Sequence, residues 1–381
     1  MNRKATALDV AKLAGVSRSA VSLVLNGHGD GNVAKESQDR IRDAAAALNY
    51  TPNAIAVSLR NRRSRIIGIV SDEVVTSPFD GNIIAGADAV ARTHGFVTVV
   101  MDTASDATRD EGAVATLLDR QVDGLMYITV GLRPLHVPLN MLQVPSVLAN
   151  CFDDRPEAGV PAVIPDEVRG GREAAMHLLE LGHRDIAFLA GDSLTPAAPR
   201  RIQGHHEAFE AAGLPVRPGR ILQVGWDIDT GFHGAMKLLD GVAAAERPTA
   251  IVCANDRLAI GVVLAANRLG LSIPQDLSVM GYDDEFRIAS AMVPALTTMA
   301  LPLREMGAAA MTGLLRELGQ GPGTGHDDGR PAGGHDDGPP ATGHDAGPPA
   351  STDAERQPTE TLVPCRLVVR ESTGPVPAGQ H

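Results

Sequence analysis

Three features are scarce in this 381-residue chain. It has three cysteines, eleven aromatic residues with a single tryptophan, and no long apolar run. Cys151, Cys253 and Cys365 lie far apart. The odd count excludes a closed disulfide framework, the spacing excludes a zinc ribbon, and both fit a reducing compartment. No segment approaches the ~20 consecutive apolar residues of a membrane span. The opening Met1-Asn-Arg-Lys4 lacks the apolar stretch of a secretory signal, so a cytoplasmic location and no membrane partner are expected. Also missing are a nucleophile elbow and a phosphate-binding loop. Gly27-His-Gly-Asp-Gly31 is glycine-rich, but it follows a helical pattern rather than a strand. These absences argue against an enzyme, and no cofactor or metal is expected.

Charge is present but unevenly placed. Residues 1–65 carry eleven Lys and Arg against five Asp and Glu, a net of +6, so the remainder carries −18 of the overall −12. A basic head on an acidic body suits contact with phosphates. The head also has a helix-turn-helix pattern. Thr6 with Asp9 forms a capping-box-like pair, and Leu8, Ala11, Leu13 and Ala14 supply an apolar stripe. Gly15 permits the left-handed turn, and Ser17 caps a second helix. Ala20, Val21, Val24 and Leu25 then face inward, leaving Arg18, Ser19, Ser22 and Leu23 on the side that a recognition helix lays in the major groove. A third helix from about Lys35 to Leu48 turns Ile41, Ala45 and Leu48 inward; Ala34 is a poor cap, and Asn32 is expected to serve one turn earlier.

Beyond residue 65 the chain alternates apolar runs with amphipathic stretches. Strands are expected at 66–70, 97–101, 124–128, 146–150, 186–190, 250–254, 277–281 and finally 365–369, with helices such as 168–181 and 256–269 between them. This rhythm predicts α/β architecture with parallel sheets, and its length and a break near 161–166 predict two lobes. Residues 319–360 differ: three near copies of a nine-residue unit begin at Gly325, Gly334 and Gly343 and carry His326, His335 and His344, each followed by Asp. With no apolar face, this insertion is expected to be a disordered, inert loop.

In such sheets a ligand sits in the crevice beyond the carboxyl ends of the strands. Asp72, Asn150, Asn255 with Asp256, and Asp283 follow strands and are the candidates, Asp256 being read first as a helix cap. A carboxylate accepting from vicinal hydroxyls suits a sugar.

The chain resembles the lactose/galactose repressor (LacI/GalR) family of bacterial transcription regulators. The motifs that carry the resemblance are Asp9 through Asn26, Leu48-Asn-Tyr-Thr-Pro-Asn53, Leu181 through Gly191, Ala254-Asn-Asp256, Val279 to Asp284, Leu296-Thr-Thr298 and Leu367 to Ser372. It implies a helix-turn-helix domain at 1–50, a hinge helix at 51–62, and a two-lobed periplasmic-binding-protein-like effector and dimerisation domain at 63–372. The first lobe is expected to comprise about 63–162 and 293–318, the second about 163–290 and 361–372. It implies DNA contacts by Thr6, Ser17, Arg18, Ser19, Ser22, Leu23, Asn26, Tyr50, Asn53, Ala56 and Leu59, with Leu59 as a minor-groove wedge. Arg18 would read a guanine and Leu23 touch a thymine methyl. It further implies effector contacts by Asp72, Phe79, Asn150, Arg201, Trp226, Asn255 and Asp283, Arg201 as polar clamp, Phe79 as a stacking ring and Trp226 as an apolar wall. The implied partners are a palindromic operator, a second copy of the chain, and a small effector. A sugar or sugar phosphate comes first, a nucleobase or nucleoside second. A secreted sugar-binding protein of the same two-lobed type is the rival reading, and the basic head argues against it.

Overall fold

The computed structural model of the chain describes residues 5–50, 63–74, 77, 79–155, 159–320 and 360–376. The expected hinge at 51–62, with Asn53, Ala56 and Leu59, and the repeats at 321–359 lie outside these residues. The chain divides into two compact units, Met1–Arg65 and Ile66–His381.

The first unit contains α1 (Ala7–Ala14), α2 (Arg18–Leu25) and α3 (Lys35–Ala47). The capping box forms as read: Asp9 N–H donates to the Thr6 hydroxyl, and Thr6 N–H donates to the Asp9 carboxylate at 2.9 Å. Gly15 is left-handed, with φ of 66°. The inner face of α1 differs from the expected stripe. Val10, Ala11 and Ala14 are buried, whereas Leu8 and Leu13 are 51% and 57% exposed. An eight-residue helix leaves two phases of the helical period open, and packing against Val21, Val24, Ile41 and Ala45 selects the one that includes Val10. The α3 start also differs. Ala34 is the cap residue without a side-chain bond, and the Asn32 amide donates to the His28 carbonyl instead. The loop before α3 is held by buried Gln38, whose amide nitrogen donates to Asp30 and to the Val33 carbonyl.

The second unit has two six-stranded sheets. The first runs β11-β5-β4-β3-β1-β2 and is parallel throughout. Its strands are β1 (Ile66–Ser71), β2 (Val97–Asp102), β3 (Gly124–Leu135), β4 (Ser146–Asp153), β5 (Ala162–Asp166) and β11 (Glu360–Pro364). The second runs β12-β10-β9-β8-β6-β7, parallel except for β12 against β10. It comprises β6 (Ile186–Ala190), β7 (Ile221–Gln223), β8 (Ala250–Cys253), β9 (Ser278–Asp283), β10 (Thr297–Ala300) and β12 (Arg366–Val368). Helices α4 (Asp80–Thr93), α5 (Asp110–Asp119) and α10 (Leu303–Glu317) serve the first lobe. Helices α6 (Glu167–Glu180), α7 (Ala197–Ala211), α8 (Ile228–Leu239) and α9 (Asp256–Arg268) serve the second.

The lobe boundaries shift from those expected. Strand β10 still belongs to the second sheet, so the chain returns to the first lobe after Ala300, not near 290–296. The terminal strand expected at 365–369 is β12, and an additional strand before it, β11, joins the first sheet. Pro364 cannot continue a hydrogen-bonded ladder, and it ends β11 just before the crossover at Cys365. The three crossovers therefore lie at Asp166–Glu167, between β10 and α10, and at Cys365.

Three helix pairs pack through facing glycines. A Cβ on Gly86 of α4 would collide with the Arg304 carbonyl, and one on Gly307 of α10 with that of Ile83. Gly171 of α6 meets the Arg201 backbone, and Gly204 of α7 meets the Val168 carbonyl. Gly231 of α8 and Gly261 of α9 repeat the arrangement.

Candidate DNA-binding head and effector crevice

The head candidates sort into two groups. Arg18 and Ser19 at the start of α2 are exposed, and Ser22 and Leu23 are half-buried. Thr6 and Ser17 are the helix caps, the Ser17 hydroxyl accepting the Ala20 N–H at 3.1 Å. Asn26 closes α2 by donating to the Ser22 carbonyl. Tyr50 is half-buried and packs against the head core. Arg18 and Ser19 are thus exposed at the start of α2, whereas Thr6, Ser17 and Asn26 have roles in helix ends and Tyr50 in packing.

The crevice side of the first lobe is organised by an irregularity in β3. Its register against β4 shifts between Ile128 and Arg133. Asp72, directly after β1, pins this stretch by accepting from the Val130 N–H at 2.9 Å and from Arg133 at 3.1 Å. Burial raises the Asp72 carboxyl above its ordinary value, and Arg133 works against that rise. Asn150, in the left-handed region with φ of 60°, donates to the Thr129 and Val130 carbonyls. Phe79 is half-buried at the start of α4 and packs on the first-lobe core. Ile128 is fully buried.

The second lobe contributes the buried cation. Arg201 on α7 is 3% exposed. Its Nε and Nη2 donate to the two oxygens of Glu167 at 2.7 and 2.8 Å, and its Nη1 donates to the Ala254 carbonyl. Asp283 Oδ1 lies 3.6 Å from Nη1, and the guanidinium carbon stands 3.6 Å above the Tyr282 ring. Burial opposes the Arg201 charge, but Glu167, Tyr282 and Asp283 together outweigh it and hold the guanidinium above its ordinary value. Burial also raises the Asp283 carboxyl well above its ordinary value, while Arg201 opposes the rise. Asp283 holds φ of 108°, a strained left-handed backbone at a strand end. Trp226 packs against the cores of both lobes and fits only because residue 191 is glycine. Asn255 caps α9, its oxygen accepting the Leu258 N–H, and its amide donates to the Trp226 carbonyl at 2.9 Å.

Asp256 is not the helix cap that the sequence pattern suggested. Asn255 takes that position, and Asp256 accepts from the Glu285 N–H and the Thr298 hydroxyl. Burial pushes Asp256 up to about 7. Of the candidates, Asp72 directly after β1 and Asn150 within β4 stand in the first lobe, and Arg201, Trp226, Asn255 and Asp283 in the second, where Asp283 approaches Arg201 at 3.6 Å and Asn255 bonds the Trp226 carbonyl. Glu167 and Tyr282 were missed. Glu167 directly follows β5, so the strand-end rule would have found it. Asp80 was also missed; it is fully buried, accepts from the Ser71 hydroxyl at 2.6 Å, and is pushed up to about 7 by burial.

Away from the crevice, His205 is buried between the Phe188 and Phe209 rings with neither ring nitrogen bonded, and burial pushes it down to about 3. The unfolded chain, with an ordinary histidine near 6.5, then binds the extra proton between those values. Stability is expected to fall by ~1.4 kcal/mol per pH unit as the pH drops below about 6 on this account. Asp80 and Asp256 act oppositely, losing stability as the pH rises from ~4 towards 7. His205→Leu should shift the slope of stability against pH by about one proton, towards stability falling with rising pH, read from urea midpoints between pH 6 and 4; an unchanged slope would contradict a neutral buried imidazole.

Against this geometry, the sequence model of bacterial regulatory proteins of the lacI family matches residues 6–53, and that of the periplasmic binding protein-like domain matches 175–332. The HTH-type transcriptional regulator DegA of Bacillus subtilis is 35% identical over 311 residues, covering 80% of this chain and 89% of its own. The chain belongs to the LacI family. The ribose operon repressor of Haemophilus influenzae is 32% identical, covering 82% of this chain and 92% of its own. The Lac repressor dimer bound to operator and the anti-inducer ONPF superposes with a TM-score of 0.72 at 28% identity, covering 98% of this chain and 100% of its own. As a LacI-family member the chain is a DNA-binding transcriptional regulator with a small-molecule effector domain, and its helical head and two-lobed α/β body match that family's fold. Among the described residues, no helix is long and apolar enough to cross a membrane, and no group of three or more His, Cys, Asp or Glu could hold a metal ion.

Proposed function

We propose that the chain is a homodimeric cytoplasmic repressor, without catalytic activity, that binds a palindromic operator and changes its affinity when a small carbohydrate fills the crevice. The observation that carries the reading is the capped head with Arg18 and Ser19 exposed at the start of its second helix. Each head would read one half-site, and Leu59 of the two hinges would open the central base step. A ligand need only favour one lobe arrangement to alter operator affinity. The strand-end carboxylates and the single tryptophan support a polyol, and a nucleobase or nucleoside is the alternative class. Edge strand β2 leaves Val97 62%, Val99 39% and Val100 37% exposed, an apolar margin that a second copy would cover.

Selection of duplexes from a random library by the purified chain tests the reading. A two-fold symmetric consensus is expected. Retention of duplexes without sequence preference would contradict it.

A further inference from the structure

Arg201 carries the one buried positive charge described in the crevice, and it is already matched. Glu167, 2% exposed, grips its Nε and Nη2 in a two-pronged ion pair. Asp283 approaches the third nitrogen at 3.6 Å, so two carboxylates face one guanidinium. The Tyr282 ring lies beneath, and its hydroxyl donates to Cys365 Sγ at 3.1 Å. Glu167 and Cys365 are both crossover residues, so the cluster is fastened where the chain passes between lobes. On the first lobe Arg133 is matched by Asp72. Arg200 is half-buried and lies 5.5 Å over the Phe152 ring, outside the buried cluster.

We propose that Glu167 is a charge filter: by holding Arg201 neutralised from the lobe crossover, it restricts the crevice to effectors without a phosphate or carboxylate group. This rests on the effector reading above and narrows its ligand class to uncharged polyols. An anion reaching Arg201 must displace Glu167, leaving a carboxylate buried beside Asp283 with no cation of its own. A hydroxyl meets no such obstacle. Three of the five guanidinium N–H groups are donated to Glu167 and Ala254, and a neutral oxygen can accept a remaining one without breaking the pair. Glu167 acts on the ligand through Arg201 and is a positioning residue.

The test uses the full chain and inorganic phosphate, with ionic strength held constant, followed by thermal unfolding. Wild type should show no saturable response. Glu167→Gln keeps the shape of the pair and removes its charge, and should gain a saturable rise of roughly 2–4 °C at tenfold the Kd. The double variant Glu167→Gln/Arg201→Gln should lose it. A folded Glu167→Gln protein without a phosphate response overturns the proposal, as does a response that survives in the double variant. Ribose 5-phosphate titrated into wild type decides the matter even where Glu167→Gln does not fold. No response supports the filter, and a response abolished by Arg201→Gln overturns it. These outcomes are independent of operator selection, so failure of the regulator reading and failure of the filter are told apart.

Discussion

Gly171→Ala is expected to cost about 3 kcal/mol or more of stability, at the upper end of overpacking effects. Most such substitutions push on side chains that can turn aside. Here the added methyl meets the backbone of Arg201, and the facing Gly204 is already against the Val168 carbonyl. Helices α6 and α7 must therefore separate. The same movement would pull Arg201 from Glu167, because one partner sits on each helix. Loss of stability and loss of the crevice geometry should appear together. Gly112→Ala is the control: it lies exposed in α5 with nothing near its missing Cβ, and should raise stability by about 0.5–1 kcal/mol. Urea unfolding followed by Trp226 emission reads both, since the only tryptophan packs against both lobes. An unaltered midpoint for Gly171→Ala would mean that the helices have slack that the structure does not show.

Arg18→Ala is expected to remove discrimination at one base position of each half-site, about 1–3 kcal/mol or roughly 5- to 150-fold. Arg18 is the first residue of α2, exposed, and held in place by the Ser17 cap. A bidentate contact to guanine would be lost at that position alone. A phosphate contact would instead weaken all sequences alike and reduce the salt dependence by about one counterion. Duplex selection with wild type and variant separates the two. A consensus unchanged at every position, with uniformly weaker binding, would assign Arg18 to the backbone.

Local signals in the sequence were strong where one or two neighbours decide the structure. The Thr6–Asp9 box, the Gly15 turn and the Ser17 cap each depend on atoms within three residues. The two-lobed body followed from the spacing of apolar runs, because buried parallel strands need them. Signals failed where distant residues decide. The phase of α1 depended on α2 and α3, which turned Val10 inward and Leu8 outward. Membership of β10 and β11 in one lobe or the other is invisible in their own apolar patterns, since either sheet would bury them. Asn255 and Asp256 are both able to cap α9, and Thr298, 42 residues on, captures the second. Arg201 was implied by the family resemblance, but its pairing with Glu167, 34 residues earlier, depends on how α6 and α7 pack and is not written in either local pattern.

The central claim is that occupancy of the crevice sets the affinity of the head for DNA. The most direct measurement is the Kd for the selected duplex at fixed salt, with and without a ligand found by thermal shift among sugars, sugar phosphates, nucleosides and nucleobases. A coupling of 1–3 kcal/mol predicts a change of about 5- to 150-fold, in either direction. A stabilising crevice ligand that leaves the Kd unchanged would contradict the account.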